Sequence, residues 1–247
     1  MTPTLSTPAL VLHTTAYSET SVIAKLFTRQ LGVRSYILKG VRKGGSKTKQ
    51  NLLQPLRYLD LVVYNNPRSP INYLKEIAPH ELVGQTSMPS MSDDAIRNAV
   101  LFFMTELLYK SLREEEPDME LFDFVVDTLV QLQQPVSSVH SYLPLLFMLR
   151  LSHYLGIEPL DNYSSREPLF DLQNGCYQYS GDYTLDSSTS LLLHYFLQAV
   201  RNNDKECPIT TLTQRTELIN RLLEYYQLHL AEFKNFKSHE ILHTVLQ

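Results

Sequence analysis

Hydrophobic positions change their period once along this chain. Up to about residue 80 they come in short runs rich in Val, Ile, Leu and Tyr: "ALVLHTTA" (9–16), "SVIAKLFT" (21–28), "VRSYILK" (33–39), "YLDLVVY" (58–64) and "INYLKEIA" (71–78). Turn-prone stretches such as "YSET", "RQLG" and "NNPRSP" separate them, which predicts β-strands. Within 58–64, Leu59, Leu61 and Val63 share one face, and Tyr58, Asp60 and Tyr64 share the other. Five short strands in about eighty residues, with one long connection after the third, suit a small closed barrel. The oligonucleotide-binding (OB) barrel is the best-known architecture of that size, and an SH3-like barrel is the alternative.

Beyond residue 94 the apolar spacing becomes helical. Ser92 or Asp93 can cap "DDAIRNAVLFFMTELLYKSL", where Ile96, Val100, Phe103, Met104, Leu107 and Leu108 form a stripe. After Pro117, "MELFDFVVDTLVQLQ" repeats it through Leu121, Phe122, Val125, Leu129 and Leu132. "VHSYLPLLFMLRLSHYLG" is apolar on most sides, so it reads as a central helix, with Gly156 able to end it. "SSTSLLLHYFLQAVRN" and "TQRTELINRLLEYYQLHLAEF" supply two more, and residues 157–187, rich in Tyr, Asp, Ser and Gly, read as an irregular insertion. The expected fold is therefore α+β: a five-stranded OB-type barrel over 1–82, a linker over 83–94 ("VGQTSMPSMSDD" lies there), and an all-α domain over 95–247. The chain has neither an internal repeat nor a low-complexity tract.

Charge sharpens this division. The formal net charge is only −4, yet residues 1–85 hold 11 Lys and Arg against four acids, and the remainder holds 11 against 22. Such asymmetry points to a polyanion partner for the basic part. Two cysteines, Cys176 and Cys207, cannot make a disulfide framework, and a reducing, cytoplasmic compartment fits them. The start, "MTPTLSTPALVLHTT", lacks the basic segment of a signal peptide, and no apolar run is long enough to cross a bilayer, so no membrane partner is expected.

Several stretches imitate catalytic motifs. "GGSKT" (44–48) resembles a phosphate-binding loop, but counting from Gly40 to Gly45 leaves Ser46 where the lysine belongs, and Pro55 stops the helix that would follow. "HEILH" (239–243) matches the zinc-protease pattern, but the few residues after it cannot hold the metzincin extension, so a solvated helix is the simpler reading. Glu114, Glu115 and Glu116 read as a solvated helix end, and His153 as a packed core residue. With no G-x-S-x-G elbow and no histidine near either cysteine, nothing supports an enzyme.

The basic stretch "LKGVRKGGSKTKQNLLQP" (38–55) is the sharpest signal. It holds Lys39, Arg42, Lys43, Lys47 and Lys49, with Arg57 just beyond, three glycines and no acid. Lys and Arg neutralise phosphates and release counterions whatever the base sequence. Glycines let the backbone follow an irregular polymer, and Phe27, Tyr36, Tyr58, Tyr64 and Tyr73 are candidate stacking surfaces. A single-stranded nucleic acid is the natural ligand of such a barrel, and RNA serves the electrostatics as well as DNA.

The order "TTAYSETSVIAKLFTRQLGVRSYILKGVRKGGSKTKQNLLQPL" resembles the N-terminal barrel of the bacterial recombination mediator RecO family. Glu19, "LFTRQLG" (26–32), "KGVRK" (39–43), Ser46 and "LQPL" (53–56) carry the likeness. Tyr225, His229, Leu230, Phe236, Lys237, Ser238 and Leu242 carry it at the C-terminal end, where "HEILH" becomes part of a family helix. The resemblance implies a non-enzymatic protein of DNA repair and recombination in the RecFOR pathway. Such proteins bind single- and double-stranded DNA, anneal strands coated by single-strand-binding protein, and help load the recombinase RecA together with RecR. The DNA-contacting residues it implies here are Arg34, Lys39, Arg42, Lys43, Lys47 and Lys49.

One departure concerns metal. Many members of that family hold zinc through two Cys-x-x-Cys pairs in the helical insertion, whereas "NGCYQYS" keeps Cys176 but has Tyr179 where the next thiol would stand, and Cys207 is alone before Pro208. Two thiolates make a poor structural zinc site, so the insertion is expected to fold without metal or cofactor. Elemental analysis of the purified protein should find no stoichiometric zinc, and chelators should leave its melting temperature unchanged. One zinc per chain would overturn this.

Overall fold

The structure, a computed structural model, describes residues 4–41, 50–64, 66, 69–80, 94–113, 117–134, 139–203 and 208–246. The expected linker over 83–94 lies almost wholly outside them. Two compact units emerge, Met1–Pro135 and Val136–Gln247. Among the described residues, no helix is long and apolar enough to cross a membrane.

In the first unit, β1 (Thr4–Ala16), β2 (Val22–Thr28), β3 (Gly32–Leu38), β4 (Tyr58–Tyr64) and β5 (Ile71–Pro79) form a closed barrel in the order β1-β2-β3-β5-β4. Only β3 and β5 run parallel. The five expected strands are all present in an OB-type barrel. β1 starts at Thr4 rather than near Ala9, because Thr4–Leu10 pairs with β4 while Ala9–Ala16 pairs with β2. Its polar, Pro-containing start, "TLSTP", gives no strand signature in isolation.

Ala9, Val11, Ala24, Leu26, Tyr36, Leu59, Leu61 and Val63 fill the interior. Small Ala9 and Ala24 leave room for the Tyr36 ring, whose phenol burial pushes up to about 12. In β1 the register jumps from Val11↔Leu26 to His13↔Lys25, so Leu12 is an extra residue. Such a bulge reverses the faces of everything beyond it. Val11 faces the core, while His13 faces out.

Two helices complete this unit. α1 (Ala95–Ser111) is capped by Asp94, which accepts from the Arg97 amide at 3.1 Å; the sequence had suggested its neighbours Ser92 or Asp93. α2 (Met119–Gln133) is capped by Asp118, accepting from the Leu121 amide at 2.8 Å. Leu121, Phe122, Val125, Leu129 and Leu132 of α2 are all buried, as their spacing predicts. On the outside of the barrel, Val33, Phe27, Leu10 and Tyr58 form one cross-strand row. All four are buried, and the Phe122 ring lies 5.2 Å from Phe27 and 6.0 Å from Tyr58. Beside them, the Arg29 guanidinium donates to both Asp123 carboxylate oxygens at 2.8 and 2.7 Å, which holds Asp123 below the usual carboxylate range. The acids brought by α1, α2 and their flanks matter for charge: over residues 1–135, fourteen Lys and Arg meet fourteen Asp and Glu.

The second unit is built around α3 (Val139–Tyr154), whose Leu143, Leu145, Phe147, Met148, Leu149 and Leu151 are buried. Gly156, at φ 69°, follows its last turn as expected. α4 (Ser187–Asn202), α5 (Leu212–His229) and α6 (Ser238–Leu246) follow, and the buried Tyr226 hydroxyl of α5 donates to the Met148 carbonyl at 2.7 Å. The 157–187 insertion is more ordered than its composition suggests. It holds a hairpin, β6 (Leu169–Asp171) with β7 (Cys176–Gln178). Asn162 clamps it by donating to the Tyr177 carbonyl at 2.9 Å and accepting from the Tyr177 amide at 2.7 Å. Asp161 meets His194 at 2.6 Å and accepts a bond from Gln198, both on α4. Strands of three residues held by distant side chains leave no periodicity to read.

The Phe122 contact generates a direct test. Phe122→Ala removes a ring with no exposed surface from the barrel's outer row, and its expected cost is about 3–5 kcal/mol. Denaturant unfolding monitored by circular dichroism measures it. A loss below about 1 kcal/mol would show that this ring does not seat α2.

Candidate nucleic-acid interface

The row through Phe27 belongs to α2, and two further outward rows follow it toward the other end of β2. Cross-strand partners share a face of a sheet. One row therefore reads His13, Lys25, Ser35, Ile71 across β1, β2, β3 and β5; the next reads Thr15, Ile23, Ile37, Tyr73. None of these eight outward positions carries a carboxylate.

At the β5 side of this face Lys39, just past the end of β3, holds its Nζ 5.4 Å from the centre of the Tyr73 ring. Tyr73 is 52% exposed, and Tyr64, at the end of β4, is 39% exposed. Together with Lys75, Glu76, Val41 and Leu52 they line a cleft of about 410 Å3 in which two ammonium groups meet one carboxylate. Lys75 stands in a second bulge, between Val62↔Glu76 and Val63↔Leu74, and its Nζ reaches Glu76 at 3.7 Å. Aromatic faces beside ammonium groups suit an unstacked base with a neighbouring phosphate. A second cleft of about 540 Å3, on the β1–β4–β5 side, shares Glu76, adds Asp60 and has no basic side chain among the described residues of its lining, so it would repel a phosphate backbone.

The structure separates the residues that the sequence had grouped. Lys39 joins the cleft. Arg34 does not: it lies opposite Leu26 of the core, on the inward register near the β2–β3 turn, five residues or about 16 Å along the chain from Lys39. Arg42, Lys43, Lys47 and Lys49 lie outside the described residues, as does the "GGSKT" stretch.

The five candidate stacking rings divide just as sharply. Tyr64 and Tyr73 are exposed; Tyr36 is inside the barrel, and Phe27 and Tyr58 are the seat of α2. An aromatic in a strand looks the same in sequence whether it fills a core, seats a helix or meets a ligand. His13 and Lys75 escape a sequence reading because the bulges in β1 and β5 shift residue parity without altering composition, while Lys25 follows the regular alternation of β2 but lies outside the basic stretch.

Other expectations are corrected or bounded. His153 is not a core residue: its side chain is 67% exposed and its Nδ1 lies 2.7 Å from Glu158. Glu114–Glu116 and Cys207 are outside the described residues. Among the described residues no three His, Cys, Asp or Glu side chains converge as a metal site, those of "HEILH" on α6 included. Around half-buried Cys176 the donor set does not fit a structural zinc.

Comparison with known proteins agrees with this architecture. Two family models match, one described as recombination protein O N terminal over residues 1–83 and the other as recombination protein O C terminal over residues 92–239. The DNA repair protein RecO of Christiangramia forsetii is 30% identical over 255 residues, covering 98% of this chain and 98% of that protein. That of Porphyromonas gingivalis is 30% identical over 247 residues, covering 96% and 97%. That of Azobacteroides pseudotrichonymphae is 28% identical over 244 residues, covering 97% and 98%. With a closed OB-type barrel, helices beyond it and both family models matched in that order, the chain belongs to the recombination protein O family.

Proposed function

We propose that this protein is a DNA repair and recombination mediator that works by binding, without catalysis. It binds single- and double-stranded DNA, anneals complementary strands coated by single-strand-binding protein, and acts with RecR to load recombinase. The observation that carries the DNA-binding part is the Lys39–Tyr73 pair at the mouth of an aromatic cleft, beside two outward barrel rows without a carboxylate. The family's relatives named DNA repair protein RecO supply the biological setting.

Phosphates are met by Lys39, Lys75 and the basic stretch Arg42, Lys43, Lys47 and Lys49; bases stack on Tyr73 and Tyr64. Annealing needs little more than screening the repulsion between two backbones, and base pairing then supplies the sequence information. The second unit carries eight Lys and Arg against twelve Asp and Glu, which disfavours DNA and suits it to protein docking. Docking on the coat raises the local concentration of the barrel, so modest DNA affinity suffices.

Two measurements test this. In salt titrations of oligonucleotide binding, Lys39→Ala should lower the slope of log K against log salt by about 0.7, the value for one phosphate contact on a single strand. The quadruple alanine variant at Arg42, Lys43, Lys47 and Lys49 should lower it by about 3, while Arg34→Ala, on the inward register, should leave it unchanged. Equal slopes in wild type and the quadruple variant would remove the basic stretch from the interface. In the second, the full chain should anneal complementary strands coated by single-strand-binding protein, and the quadruple variant should lose most of that activity. A wild-type protein inactive on coated strands would overturn the mediator reading.

A further inference from the structure

We propose that His13 and Lys25, held by Tyr109, form a second contact for the phosphate backbone of single-stranded DNA. It lies on the outer barrel face beside the Lys39–Tyr73 cleft. The inference rests on the DNA-binding reading above and extends it to a site that includes a helix.

Three observations carry it. First, the Leu12 bulge brings His13 to the outer face directly opposite Lys25, so two groups that can both be cationic stand side by side. Like charges directly opposed across a ladder are destabilising, and among the described residues neither is in an ion pair. Second, α1 braces this pair: the Tyr109 ring stacks on His13 at 4.6 Å and lies 5.4 Å from Lys25 Nζ. Tyr109 is a positioning residue that fixes both side chains. Third, the pair shares a continuous face with the cleft. Lys25 is two strands and one row from Tyr73, about 12 Å, with Ser35, Ile23 and Ile37 between them. That span lies within the footprint of the roughly 4–16 nucleotides that one OB barrel engages.

A phosphate between His13 and Lys25 would relieve their repulsion, which links binding to protons. Burial first, and then Lys25, hold His13 below its ordinary value of 6.5 in the free protein. The charged groups nearby are Lys25 on β2 and, on α1 around Tyr109, the Glu106–Lys110 pair, which are 3.8 Å from each other. A bound phosphate raises the His13 value, so binding takes up a proton and tightens as pH falls.

The test uses the full-length protein and a labelled oligothymidylate, with binding measured by fluorescence anisotropy over a range of salt and pH. Wild type should tighten about threefold from about pH 7.5 to about pH 5.5, and His13→Gln should flatten that profile. Lys25→Ala should lower the salt slope by about 0.7, while Tyr109→Leu should weaken binding and leave most of the slope. Thermal melting of each variant confirms that it is folded, and Lys25→Gln replaces any that is not. If Lys39→Ala lowers the slope but Lys25→Ala and Lys25→Gln do not, and His13→Gln keeps the wild-type pH profile, the second contact does not exist. If wild type does not bind the oligonucleotide at all, the DNA-binding reading fails first.

Discussion

Strand β1 has to pair with β4 through Thr4–Leu10 and with β2 through Ala9–Ala16, and Leu12 bulges out where the second pairing turns away from the first. The faces of the barrel follow from that one residue. Before the bulge, alternate side chains go to the core (Ala9, Val11) or to the outer row under α2 (Leu10). After it the parity is reversed, and His13 reaches the surface beside Lys25. A β1 without the extra residue would carry His13 into an apolar interior, where its charged form would be strongly disfavoured.

The outer face thereby becomes three zones in as many rows. Val33, Phe27, Leu10 and Tyr58 are apolar enough to hold a helix, and Phe122 occupies them. His13 and Lys25 form a border that Tyr109 touches from α1. Ile23, Ile37 and Tyr73 lead on to the cleft. Helix seating and the proposed ligand contact thus sit within about 14 Å of one another, since successive rows are about 7 Å apart along a strand. The two helices shape the proposed interface as much as the barrel does, although the family models divide the chain before α1.

How far this was legible in the sequence depends on the range of the signal. The α2 stripe, Leu121 to Leu132, and the inward set Leu59, Leu61 and Val63 were readable because periodicity and burial are local consequences of one element. The beginning of β1, the β6–β7 hairpin and the role of each aromatic were not, because they depend on partners fifteen or more residues away. Asn162 with Tyr177 and Phe27 with Phe122 are examples. Of the cations that the family resemblance implied, Lys39 meets an aromatic partner in the structure, whereas Arg34 has a core residue across the ladder. Charge in sequence says that a surface is basic, not which way each side chain points.

The equality of fourteen basic and fourteen acidic residues over 1–135 has a kinetic consequence. A body with no net charge has little long-range pull on DNA, and what its charged faces retain is screened beyond about 8 Å at physiological ionic strength. Encounter with a strand is then governed by diffusion and collision rather than by steering from afar. Such a protein would not be swept onto every duplex it passes, so its residence on a strand would rest on short-range contacts alone.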